Sequence, residues 1–276
     1  MLSIAVTGAN GYIGRHVVTA LCDMGACVYA LDLCVEGGDP RARWMQVDVF
    51  DPSFAPAELF DEMPDVCLHL AWRNGFDHNA PTHMGDLSGH YLFLHKMIDA
   101  GVGRVAVMGS MHEVGYWEGA ITEETPCKPL SAYGVAKDAL RRALEIESGR
   151  KGFALQWLRG FYIYGDDAQS QSIFGKLLRA AQAGQKNFPF TTGKNKYDFT
   201  PVAELAHMIA AATMQDEVLG IINCCSGKPV SLAEQIEGFI RDNHLDIQLE
   251  YGAFPDRPYD SPGVWGDASK IQRILG

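Results

Sequence analysis

A tyrosine and a lysine stand four residues apart in Tyr133-Gly134-Val135-Ala136-Lys137. In a helix that spacing puts both on one face, a single turn apart. An ammonium held near a phenol stabilises phenolate, lowers the phenol's pKa and makes it a proton donor or acceptor near neutral pH. The donors of Lys137 also suit the hydroxyls of a ribose. Such a pair arises by chance in many helices, so it needs company.

The company is at the start of the chain. Thr7-Gly8-Ala9-Asn10-Gly11-Tyr12-Ile13-Gly14 follows an apolar strand expected over residues 2–6 and opens a helix expected over 13–24. Gly8 permits the tight turn, Gly11 lets backbone amides approach a pyrophosphate, and Gly14 lets helix and strand pack closely. Asn10, Tyr12 and Ile13 line the same bend, and the helix N-terminus turns its N–H groups toward the phosphates. Asp32 closes a second strand over 27–33, at about the distance expected of an acid on the ribose 2′-hydroxyl. Its carboxylate would repel a 2′-phosphate, and no arginine follows in Leu33-Cys34-Val35, so NAD is expected rather than NADP. A strand-end aspartate can also simply face solvent, but the complete glycine turn weighs for the cofactor. At the end of a third strand, Asp48-Val49 stands where adenine would be held, with Asp48 accepting from the exocyclic amine; Asp48 would serve equally well as a loop N-cap.

Strands over 44–49, 66–71, 105–109 and 155–158 alternate with helical stretches, the pattern of parallel crossovers in an α/β, Rossmann-type doubly wound sheet. After residue 165 the texture changes. Helices are expected over 173–183 and 201–214, a strand over 221–225, and a helix carrying Leu232, Ile236 and Ile240 with Ser231 as its N-cap. Residues 187–199 read as turns and 254–263 as a loop. The expected division is a dinucleotide-binding domain over 1–165 and a smaller C-terminal α/β substrate lobe over 166–276, some of whose elements return to the first.

The 276 residues are 47% hydrophobic and 21% charged, an ordinary globular balance. A formal net charge of −11 argues against a nucleic acid or an anionic membrane as partner, while leaving room for a local basic pocket. The N-terminus lacks a basic region and a long apolar core, and no apolar run reaches membrane length. Seven cysteines, an odd number without paired metal spacing, suggest reduced thiols, a cytoplasmic setting and no metal centre.

Further motifs lie in order. His69-Leu70-Ala71 closes the fourth strand, and Gly109-Ser110-Met111-His112-Glu113-Val114-Gly115 follows the fifth. Leu158-Arg159-Gly160-Phe161-Tyr162-Ile163-Tyr164-Gly165, Asp198-Phe199 and Arg257-Pro258-Tyr259-Asp260 come later. With the glycine turn and Tyr133/Lys137, this set resembles the extended short-chain dehydrogenase/reductase family over almost the whole chain, in its nucleotide-sugar epimerase/dehydratase/reductase branch. The resemblance implies that Ser110 hydrogen-bonds the reacting oxygen, Tyr133 transfers its proton, Lys137 tunes Tyr133, and Leu70 and Ala71 flank the cofactor. Hydride would pass between a sugar carbon and nicotinamide. Trp72 is taken as a substrate contact, and Arg159, Lys196 and Arg257 as contacts to the diphosphate. His112 is either an additional acid–base group or a pocket-lining ring.

Three departures stand out: Val114 replaces the usual tyrosine, Phe161 an asparagine and Tyr197 an arginine. Dehydratases of the branch usually carry Asp-Glu where this chain has Met111-His112, so water elimination is disfavoured. An NAD-dependent epimerase acting at C4 through a transient ketone is therefore the first expectation, and an NAD(P)H-dependent reductase of 4-keto-6-deoxy nucleotide sugars the second. A catalytically silent NAD-binding sensor or scaffold is the third. A nucleotide sugar is the expected small-molecule partner. Helices near 87–100 and 132–147 could pair across the two-fold axis of a homodimer.

Overall fold

Short strands buried along nearly their whole length, such as Val66-Cys67-Leu68-His69, can only lie in a sheet covered on both faces. The computed structural model describes residues 1–165, 172–256 and 260–276. Along the chain run β1 (Ser3–Thr7), α1 (Gly14–Asp23), β2 (Cys27–Asp32), β3 (Arg43–Gln46), α2 (Pro56–Leu59), β4 (Val66–His69), α3 (Thr82–Gly85), α4 (Leu87–Asp99) and β5 (Arg104–Ser110). A 3-10 turn (Met111–Glu113), β6 (Gly119–Ile121), α5 (Ala132–Lys151), β7 (Ala154–Gly160) and β8 (Tyr162–Tyr164) follow. Then come α6 (Ile173–Gln182), β9 (Asn187–Pro189), β10 (Lys196–Tyr197), β11 (Phe199–Pro201), α7 (Val202–Met214) and β12 (Gly220–Cys224). The last elements are β13 (Val230–Ser231), α8 (Leu232–Asp242), β14 (Gln248–Glu250), β15 (Gly263–Gly266) and α9 (Ser269–Leu275).

Seven strands form one sheet in the order β3-β2-β1-β4-β5-β7-β12, and every pair in it is parallel. Strand order reverses between β1 and β4, and the crevice beyond their carboxyl ends is where such sheets bind ligands. On one face, Val17, Val18 and Leu21 of α1 pack with Leu205 and Ile209 of α7. On the other, Phe93, Leu94 and Met97 of α4 pack with Leu140 and Leu144 of α5 and with Trp157. The sheet is therefore the expected Rossmann-type, doubly wound one.

Most expected elements appear within a residue or two of their anticipated ends. Ser231 caps α8, its hydroxyl accepting from Glu234 N at 3.1 Å. The stretch 187–199 is not all turn, because β9, β10 and the start of β11 lie in it. Segments of two or three residues carry no periodicity, and their pairing is settled by distant partners such as β13 and β15. Among the described residues no helix is long and apolar enough to cross a membrane.

Helix α5 starts at a serine cap, Ser131 Oγ accepting from Gly134 N at 3.2 Å, and ends at Gly152 in the left-handed conformation. Its first turn lies hard against the 3-10 turn: a Cβ on Gly134 would fall 2.2 Å from the His112 carbonyl oxygen. Alanine is the better helix former, yet Gly134→Ala is expected to destabilise the protein by about 1–3 kcal/mol through overpacking. Urea unfolding checks this, and a stabilised variant would contradict the packing.

Candidate active site

The phosphate turn is built by steric exclusion. Gly8 has φ +65°, and a Cβ there would lie 2.7 Å from the Ala71 backbone. At Gly14 a Cβ would meet the Gly8 carbonyl oxygen at 2.0 Å. Both positions accept only glycine, and α1 enters without a side-chain cap, so its N-terminus is open to an anion. Asp32 holds the next loop, its carboxylate accepting from Asn10 N at 2.9 Å and from Cys34 N at 3.2 Å. Asn10 donates in turn to the carbonyls of Cys34 and Glu36. Two backbone donors leave acceptor capacity on the half-buried Asp32 carboxylate for a pair of ribose hydroxyls. The turn, the uncapped helix end and this acid together fit a dinucleotide. Tyr12 reaches away from the bend, and a Cβ on Gly165 would meet its hydroxyl at 2.7 Å. Ile13 takes the cap position of α1. Asp48 is exposed and accepts from Phe50 N at 2.9 Å, the loop-capping alternative of the sequence reading, with Val49 half-buried beside it.

The ends of β1 and β4 are tied by a buried chain. Leu70 N donates to the Thr7 carbonyl at 3.2 Å, and Ala71 N donates to Thr7 Oγ1 at 3.3 Å. We assign the Thr7 hydroxyl proton to His69 Nδ1, 2.8 Å away. His69 then carries its proton on Nε2 and donates to His90 Nδ1 at 2.8 Å. Burial drives the His69 pKa well below its ordinary value and that of His90 down to about 3, so both rings are neutral.

Ser110, Tyr133 and Lys137 converge where β5 ends beside the start of α5. Ser110 is fixed by a capping box: Glu113 Oε1 accepts from Ser110 N at 2.6 Å, and Ser110 Oγ accepts from His112 N at 3.3 Å. Burial raises the Tyr133 phenol to about 12, a hydrogen bond with the Ser110 side chain opposing and the Glu113 carboxylate adding to it. Burial lowers Lys137 to about 7, opposed by Glu113. The ammonium is not turned to the phenol. Lys137 Nζ donates to the Met108 carbonyl at 2.6 Å and lies 3.7 Å from the centre of the Trp72 ring, against 5.8 Å for Tyr133. The expected depression of the phenol's pKa is therefore not what these contacts give, because desolvation outweighs the Ser110 hydrogen bond that opposes it.

Rings crowd the phenol. His78 stacks on Tyr133 at 5.4 Å and 14°, and its carbonyl accepts from Tyr133 N at 2.9 Å. His112 lies 4.1 Å from His78 and 6.0 Å from Tyr133, and burial with the His78 charge lowers it to about 4. Trp72 meets Tyr133 edge-on at 5.9 Å and donates through Nε1 to His83 Nδ1 at 3.1 Å. Sequence reasoning missed His78, His83 and His90. The signal was there, since four of the nine histidines fall between residues 69 and 90.

The reading of Arg159 is corrected. Its side chain is fully buried, faces Glu113 Oε2 at 3.4 Å and donates to the Thr122 carbonyl at 3.3 Å, so it cannot meet a diphosphate at the surface. Lys196 is exposed on β10, in a separate four-stranded sheet. Arg257 lies outside the described residues.

The low pKa of His112 has a consequence for stability. Between pH about 6.5 and about 4 the unfolded chain takes up a proton here that the folded chain does not, so acidification through that window weakens the fold. His112→Asn is expected to flatten that loss by close to one proton's worth of slope. Thermal midpoints measured from pH 7 to 4 check this; parallel curves for the two proteins would refute it.

Comparison with known proteins bears on the fold and the family. A family profile described as the NAD dependent epimerase/dehydratase family matches residues 4–225. The chain is 41% identical over 271 residues to a dTDP-6-deoxy-L-talose 4-dehydrogenase (NAD(+)) of Aggregatibacter actinomycetemcomitans, covering 96% of this chain and 99% of that protein. It is 25% identical to a UDP-glucose 4-epimerase of Lactobacillus helveticus, covering 100% of this chain and 91% of the other. Among solved structures, MoeE5 in complex with UDP-glucose and NAD superposes with a TM-score of 0.81 at 25% identity, covering 99% of this chain and 92% of that one. The UDP-glucose 4-epimerase of Thermotoga maritima shares the fold, with a TM-score of 0.83 at 21% identity and coverage of 99% and 92%. A glycine turn that fits a dinucleotide, a Ser–Tyr–Lys convergence and a match over most of the chain lead to one statement: this chain is an enzyme of the NAD-dependent epimerase/dehydratase family.

Proposed function

We infer that the enzyme is an NAD-linked 4-dehydrogenase, working as a 4-ketoreductase in reverse, on a 6-deoxyhexose carried by a pyrimidine nucleoside diphosphate. The observation that carries this reading is the nearly end-to-end match to a 4-dehydrogenase of that type, at 41% identity. The crowding of Tyr133 by Trp72, His78 and His112 supports it. A dehydrogenase need hold its sugar in only one orientation, whereas an epimerase needs room for the ketone to turn over.

When bound, NAD accepts or returns the hydride at C4 of the sugar. The protein's part is orientation and proton transfer. The glycine turn and Asp32 would hold the adenosine and diphosphate half, with Leu70 and Ala71 at the switch between β1 and β4. Ser110 would hydrogen-bond the C4 oxygen, and Tyr133 would remove its proton in oxidation and restore it in reduction. Lys137 would hold the nicotinamide ribose and bring positive charge toward the phenol. In that role the ribose hydroxyls compete with the Met108 carbonyl for the same ammonium. Residues 1–165 would form the cofactor domain and 166–276 the substrate lobe, with Lys196 and Arg257 as candidates for the diphosphate. A homodimer would form through the outer faces of α4 and α5, where Leu87, Tyr91, Leu140 and Ala143, together with Met84 of α3, line an apolar groove of about 340 Å³.

The second reading, a 4-epimerase, is favoured by the match to the Lactobacillus helveticus enzyme. Substrate assays separate the two. The dehydrogenase is expected to oxidise a dTDP- or UDP-linked 6-deoxyhexose with one NADH formed per sugar, whereas an epimerase would interconvert epimers with no net NADH. Tyr133→Phe is expected to lower kcat at least ~10²-fold with NAD affinity little changed, and near-normal turnover would remove Tyr133 from the chemistry. Asp32→Ala is expected to weaken NAD binding about tenfold or more while NADP binding changes little; an unchanged ratio in titration calorimetry would refute the ribose contact.

A further inference from the structure

Trp72 is held on several sides, and its contacts run to Lys137. Its ring lies flat on His90, 4.2 Å between centres and 7° from parallel. Its N–H is held by His83 Nδ1, and His83 Nε2 is 2.7 Å from the Asp77 carbonyl, so His83 carries its proton there. Tyr133 abuts its edge. Behind it, Thr7, His69 and His90 form the hydrogen-bonded chain that starts at the phosphate turn. On this fixed ring, 3.7 Å from its centre, sits Lys137 Nζ. Lys137 is 2% exposed, so its ammonium has little water around it. The Met108 carbonyl replaces one hydrogen-bond partner, and the π-face of Trp72, 3.7 Å away, offers negative potential beside it.

We propose that Trp72 is a positioning residue whose ring face keeps Lys137 an ammonium inside a nearly dry site and holds it beside the Met108 carbonyl. The proposal deepens the reading of Tyr133 and Lys137 as an acid–base pair and rests on it for its catalytic meaning. The titratable groups facing Lys137 are Tyr133 from its own helix, Glu113 from the 3-10 turn, His69 from β4 and His90 from α4. Glu113 favours the charged lysine, but its carboxylate is shared with Arg159, Trp157 and Ser110. His69 and His90 are held neutral by burial, so neither adds a competing cation next to the ring. A neutral imidazole stacked beneath Trp72 fixes the ring without draining its attraction for the ammonium. Burial alone pulls Lys137 toward the neutral amine, and a desolvated cation–π contact with tryptophan pushes it back by about one pH unit.

The test reads the protonation of Lys137 directly. Protein labelled with 13C at the lysine Cε is titrated by NMR without cofactor, and the Lys137 signal is assigned by its loss in Lys137→Met. Trp72→Leu is expected to move the Lys137 midpoint down by about one unit, leaving about ten-fold less ammonium at a given pH above it. Trp72→Phe, which keeps a weaker aromatic face, is expected to move it less in the same direction, and it stands in if the leucine variant does not fold. In the NAD-loaded enzyme the alkaline limb of kcat is expected to move to lower pH by the same amount, with the phenylalanine variant between. An unmoved Lys137 midpoint in these variants overturns the proposal, whatever happens to KM. A displaced midpoint in a protein that oxidises no 6-deoxyhexose would sink the proposed substrate and leave the role of Trp72 standing.

Discussion

One buried carboxylate organises the catalytic end of this fold. Glu113 has no exposed surface, and it receives the Ser110 amide, the Trp157 indole N–H and the Arg159 guanidinium. An unpaired carboxylate in such a place would be driven to neutrality, which is the direction in which burial pushes it. Several donors must converge, and they come from two neighbouring strands. β5 supplies Ser110, β7 supplies Trp157 and Arg159, and the 3-10 turn supplies the acid itself. Moving any of them would strand charge in the interior, so the position of Ser110 is a by-product of satisfying Glu113. Buried ion pairs add little net stability, but breaking one by deleting a single partner is strongly destabilising. Such asymmetry suits a site that has to hold one geometry.

The cofactor end obeys a different constraint. There the chain is shaped by what cannot fit: no side chain can stand at Gly8 or Gly14 without striking backbone. The two ends are joined by the Thr7–His69–His90 chain, which crosses from β1 through β4 to α4. Since the hydroxyl proton of Thr7 sets the tautomer of His69, and His69 sets that of His90, the link has a direction as well as a path. A strand-end threonine thus bears on the ring beneath Trp72.

Features written in local sequence were legible before the structure. The glycine turn needs three glycines at fixed spacing, the Tyr133–Lys137 pair needs only helix geometry, and Ser231 announces the start of α8 by its type and place. What lay outside local sequence was lost. Arg159 looked like a phosphate ligand because a guanidinium matches phosphate geometry, but whether a strand residue faces the interior or the crevice depends on the acid placed opposite by another loop. The depressed Lys137 and raised Tyr133 likewise follow from burial, which spacing does not reveal. His78, His83 and His90 carry no motif, and only folding brings the first two against the phenol and the third beneath Trp72. Choosing between dehydrogenase and epimerase was harder still, because the two chemistries share every proton-transferring group.

The burial of Arg159 separates recognition from chemistry along the gene. With that guanidinium committed to the interior, the two cations left as candidates for a diphosphate under the proposed function, Lys196 and Arg257, both belong to the last third of the chain. The groups proposed to react, Ser110, Tyr133 and Lys137, all lie before residue 138. On that proposal, donor preference would be written in late surface segments, apart from the groups that carry the proton and the hydride.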